Sequence, residues 1–78
     1  MEDQKIVARG LVESLDAAEL LLLRCLVRGM SARTGASVLG ISLDEVEVTR
    51  ASMMRKLGAV ATADAVRIGI FAGLDLEG

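Results

Sequence analysis

The chain has 78 residues and a net charge of −2, with 53% apolar residues, one aromatic (Phe71), one cysteine (Cys25) and no histidine, proline, tryptophan or tyrosine. That supports one small domain with an aliphatic core, and a chain this short buries only roughly 60% of its unfolded surface. The inventory excludes histidine-dependent acid–base and triad chemistry, a disulfide within the chain and the usual zinc sites, so no cofactor and no metal are expected.

Met1 to Ser14 mix charges with Ile6, Val7, Leu11 and Val12. The 6, 7, 11 spacing suits a short amphipathic helix that Gly10 interrupts, so residues 1–14 read as an N-terminal extension. Asp16-Ala17-Ala18-Glu19 is a capping box, and an apolar helix follows through Leu20, Leu22, Leu23, Leu26 and Val27 until Gly29 ends it. Cys25 lies inside that helix as a small packing residue. Ser31 caps a short helix to about Leu39, closed by Gly40, with Gly35 in its middle where another helix comes close.

Ser42-Leu43-Asp44-Glu45 is a second capping box. The helix after it runs to about Leu57, with Leu43, Val46, Met53, Met54 and Leu57 as the inward stripe and Asp44, Val48, Ala51 and Arg55 facing outward. Gly58 ends it. Thr62 caps a last helix to about Ala72, with Val66, Ile70 and Phe71 on its apolar face. Ala65 and Gly69, four apart, make a smooth strip that a second helix can approach. Gly73 ends this helix, and Leu74 tucks back onto the core. No basic segment precedes an apolar stretch, and the apolar run Leu20 to Leu23 stops at Arg24, so the expectation is a cytoplasmic protein with no membrane partner.

Two helices joined by Leu39-Gly40-Ile41-Ser42 form the pattern of a helix-turn-helix, a pattern that plain helical bundles also contain. Gly40 permits the sharp turn, Ile41 anchors it, and Ser42 frees a helix N-terminus whose N–H groups and dipole favour phosphate.

The wider string narrows this. Leu15-Asp16-Ala17-Ala18-Glu19, Val27-Arg28-Gly29-Met30-Ser31, Leu39-Gly40-Ile41-Ser42, Arg55-Lys56-Leu57-Gly58, Ala63-Asp64-Ala65-Val66-Arg67 and Ala72-Gly73-Leu74 follow one another at one set of spacings. From about Leu15 to Leu76 this resembles the C-terminal DNA-binding domain of the LuxR/GerE family. Val46-Glu47-Val48-Thr49-Arg50-Ala51 is similar to the third helix of FixJ-type response regulators. The resemblance implies an all-α, four-helix helix-turn-helix domain over residues 15–76 that regulates transcription on double-stranded DNA and dimerises through its last helix. By position it implies base-facing roles for Asp44, Glu45, Glu47, Val48 and Ala51, and phosphate-facing roles for Ser31, Arg33, Arg50, Arg55 and Lys56, with Thr49 on the same surface. The implied homodimer face falls on Ala65, Val66, Gly69, Ile70 and Gly73.

The departures are local. The family usually carries a basic or polar residue and then Thr where Asp44 and Glu45 stand, often His where Thr49 stands, and an apolar residue where Gly35 stands. From Ser42 to Thr49 there are three acids (Asp44, Glu45, Glu47) and no base; from Arg50 to Leu57 there are three bases (Arg50, Arg55, Lys56) and no acid. A negative tip weakens phosphate-driven binding, although Glu accepts from cytosine N4. Asp44 and Glu47 also suit a first helical turn, Arg55 and Lys56 a last one, and Arg50 a snorkelling position near the core.

Two functions follow. One is a transcription regulator without a fused sensor, since no receiver domain fits in the residues before Leu15. The other is an interaction module that pairs through its last helix with a related regulator as a heterodimer. No enzymatic activity is expected: no glycine-rich phosphate loop is present, and the charged residues show no clustering beyond what helical surfaces need.

Overall fold

The computed structural model describes the backbone of residues 2–77 and the side chains of residues 3–75, so Met1 lies outside the described residues. It is all-helical: α1 (Glu2–Glu13), α2 (Ala17–Val27), α3 (Ala32–Leu39), α4 (Leu43–Leu57), α5 (Thr62–Phe71) and a closing 3-10 turn at Leu74–Glu77.

The first correction is at the N-terminus. Residues 2–13 form a continuous helix through Gly10, making five α-helices where the sequence suggested four and a short extension. A helix-interior glycine costs about 1 kcal/mol relative to alanine. That loss is offset because Ala8 is buried, Leu11 and Val12 pack against the core, and α1 lies along α5. Gly10 faces away from these contacts, and an added Cβ there would meet nothing within 4 Å.

α2 is the central element. Asp16 accepts the Glu19 N–H at 2.8 Å, and the Glu19 carboxylate accepts the Asp16 N–H at 2.8 Å, which completes the expected box. Leu22 and Leu23 are fully buried beside Val46 and Met53 of α4. Cys25 is buried and serves packing. Gly35 explains why α3 tolerates a glycine: an added Cβ would sit 3.0 Å from Leu22 Cδ1.

The turn into α4 has Gly40 at φ 71°, and the Ile41 N–H bonds to the Ala36 carbonyl at 3.1 Å. Ser42 caps α4 as expected, accepting the Glu45 N–H at 3.1 Å, while the Glu45 carboxylate accepts the Ser42 N–H at 3.0 Å. Val46, Met53, Met54 and Leu57 are buried, but Leu43 stays 42% exposed. As the first helical residue it lies at the rim of that stripe.

The start of α5 differs by one residue from expectation. The N-cap is Ala61, not Thr62. Ala61 has no side-chain oxygen to cap with. Instead the Asp64 carboxylate accepts the N–H groups of Ala61 at 2.9 Å and Val60 at 3.2 Å. These bonds hold the Asp64 carboxyl below its ordinary range. Leu74 returns to the core as expected and is 7% exposed.

Candidate nucleic-acid interface

α3, the Gly40 turn and α4 form a helix-turn-helix in which α4 packs on α2 and α3 with its buried stripe and leaves the opposite stripe bare. Asp44, Val48, Ala51 and Arg55 are all exposed along that bare stripe, with Glu47 exposed on its flank. Val48 is the most open of them at 72%. A shallow surface recess is lined by Asp44, Glu45, Val48 and Thr49.

The polar groups of this surface fall into two sets. Glu45 is occupied by the cap, and the Thr49 hydroxyl donates to the Glu45 carbonyl at 3.0 Å. The Ser31 oxygen accepts the Thr34 N–H at 3.1 Å. Arg50 is half-buried, and its guanidinium donates to the Thr62 hydroxyl at 2.6 Å, pinning the middle of α4 to the first turn of α5. Lys56 donates to the Glu19 carboxylate at 2.8 Å. The charged residues left facing outward are Asp44, Glu47, Arg33 and Arg55. Arg50 and Lys56, given phosphate roles by resemblance, thus have structural partners inside the chain.

Sequence reasoning missed the second role of Glu19. Its side chain is 3% exposed and Lys56 is 39% exposed. Burial pushes this carboxyl up, but Lys56, Ser52 and the Asp16 N–H donate to the charged form and hold it near about 2, against an ordinary 4.5. Glu19 therefore joins the start of α2 to the end of α4. The capping box was the only signal of Glu19 in the sequence, because Lys56 lies 37 residues away.

The residues of the implied dimer face do not share one surface. Ala65 is fully buried, and a Cβ added to Gly69 would fall 2.7 Å from Val27 Cγ2 and 3.5 Å from Leu23 Cγ. The smooth strip on α5 is thus taken by α2 of the same chain. Gly73 turns the backbone at φ 88° toward Leu74. Ile70, at 46% exposure, and half-buried Val66 remain toward the open side.

Among the described residues no helix is long and apolar enough to cross a membrane. Residues 13–68 match the family described as bacterial regulatory proteins, luxR family. The chain is also 37% identical over 73 residues to the transcriptional regulatory protein FixJ of Azorhizobium caulinodans, a match covering 94% of this chain and 35% of that protein. It therefore spans about a third of the relative's length. The helix-turn-helix of α3 and α4 lies wholly inside the matched segment, and the chain belongs to the LuxR family of bacterial regulatory proteins.

Proposed function

We propose that this chain binds double-stranded DNA as the output module of a transcription regulator, with α4 in the major groove. The observation that carries this is the bare stripe of α4: the second helix of a helix-turn-helix turns five exposed residues (Asp44, Glu47, Val48, Ala51 and Arg55) away from the core, with none of the described elements over them. Membership of a regulatory family supports it. Arg33 and Arg55 are the phosphate contacts, since Arg50 and Lys56 already hold the fold together. Two neutralised phosphates per protomer give a salt slope of about −2. Pairing of two protomers runs over the open side of α5, through Val66 and Ile70.

An NMR titration with short duplex DNA at low salt tests this. The expected shifts fall on residues 31–33 and 42–56, and affinity declines with salt at about the slope given. No shift at those residues overturns the reading.

A second reading is favoured by the electrostatics of the same face. With Arg50 and Lys56 engaged, the first two turns of α4 present Asp44 and Glu47 and no base. On this reading the chain pairs through α5 with a related regulator and deprives it of a second DNA-reading helix. Shifts at residues 62–74 on addition of that regulator, with none on DNA, identify it.

A further inference from the structure

We propose that the outward face of α4 reads pyrimidines: Val48 packs against the 5-methyl group of a thymine, and the Asp44 and Glu47 carboxylates accept from cytosine N4 amino groups. This rests on the DNA-binding reading above. In the first two turns no base faces outward: the Thr49 hydroxyl is spent on the Glu45 carbonyl, and the Ser42 hydroxyl sits at the helix cap, where its oxygen accepts the Glu45 N–H. Glu45, the third acid, is held by the Ser42 N–H. Beyond the cap residues Ser42 and Glu45 and the rim residue Leu43, the exposed groups are two carboxylates, which only accept, and two apolar groups, Val48 and Ala51.

The major groove sorts bases against such a surface. Guanine offers N7 and O6, both acceptors, and a carboxylate facing them is repelled. Adenine couples its N6 donor to an N7 acceptor, which a carboxylate also meets. Cytosine offers the N4 donor with no acceptor of its own in the major groove, and thymine offers a methyl group. Val48 is 72% exposed and lies one turn beyond Asp44 on the same stripe. Four residues advance the helix by about 6 Å, close to two base-pair steps, so the methyl contact and one amino contact fall within one short run of bases.

The test begins with selection of binding duplexes from a random pool by the full chain at low salt. The enriched sequence is expected to carry thymine and cytosine within about three base pairs on one strand. Replacing that thymine by deoxyuridine removes only the methyl group and is expected to weaken wild-type binding by about 3- to 10-fold. Val48→Ala should bind the thymine and deoxyuridine duplexes equally. Glu47→Gln or Asp44→Asn should relax the cytosine preference by about 5-fold or more at one position. The deoxyuridine arm alters the DNA alone and stands whatever the variants do. An enriched duplex indifferent to deoxyuridine, or one with purines facing both carboxylates, overturns the proposal and leaves DNA binding intact. No enrichment at all overturns both.

Discussion

Lys56→Met gives the sharpest test of the tie between α2 and α4. The substitution keeps most of the side chain's length and removes its charge. Glu19 is then left 3% exposed, with the Lys56 donor gone and only Ser52 and the Asp16 N–H remaining. A hydrogen bond to a charged group contributes about 1.5–3 kcal/mol, and removing one partner of a buried pair leaves the other uncompensated. Because Lys56 is itself 39% exposed, water recovers part of the loss, so about 2 kcal/mol is expected. In a domain this small that lowers Tm by about 8–16 °C.

The pH dependence makes the test specific. In the unfolded chain Glu19 takes up its proton near 4.5, whereas in the folded chain it does so near about 2. Its contribution is therefore complete above pH 4.5 and is lost as pH falls toward 2. In the Met variant, burial pushes the folded carboxyl up against fewer donors, so less is lost in acid. Circular-dichroism melts of both proteins from pH 7 to pH 3 should show a gap that is widest above pH 4.5 and narrows below it. A Met variant melting within about 2 °C of wild type at pH 7, or a gap of equal size at pH 3, refutes the reasoning.

Other substitutions probe the packing. Gly69→Ala places a Cβ 2.7 Å from Val27 Cγ2 and should cost about 1–3 kcal/mol in urea denaturation, with Val27→Ala restoring part of it. Gly10→Ala meets no neighbour on an exposed helical face, so it should stabilise by about 0.5–1 kcal/mol in the same assay. Ser42→Ala removes the cap of α4 and should cost about 1 kcal/mol, with hydrogen exchange rising first at the Glu45 amide.

Local chemistry explains what could be read from the chain alone. Asp16 with Glu19, and Ser42 with Glu45, are bonds between residues three apart, and the structure forms both. The outward set Asp44, Val48, Ala51 and Arg55 follows from helical periodicity, and all four are exposed. Contacts distant in sequence were not legible. Lys56 with Glu19 and Arg50 with Thr62 depend on how whole helices cross. The small strip Ala65 and Gly69 announced a close helix neighbour, but periodicity does not say which helix, and α2 takes that place. Gly10 misled for a related reason: propensity weighs a residue alone, whereas α1 is held by Ala8, Leu11 and Val12 on its other side.

The two glycines that seat helices on α2 act as a gauge for the assembly. Gly35 lets α3 settle against Leu22, and Gly69 lets α5 settle against Val27 and Leu23. On both sides the close approach depends on the absence of a Cβ, which would press on the side-chain ends of Leu22 and Val27. In a pair of chains joined through α5, as proposed, the separation of the two α4 helices would then depend on this seating. On that reading it would have to match half-sites about 34 Å apart. If the chain pairs and binds DNA as proposed, a methyl group at position 35 or 69 would act on that separation through Leu22 or Val27 alone, leaving the outward stripe of α4 unchanged.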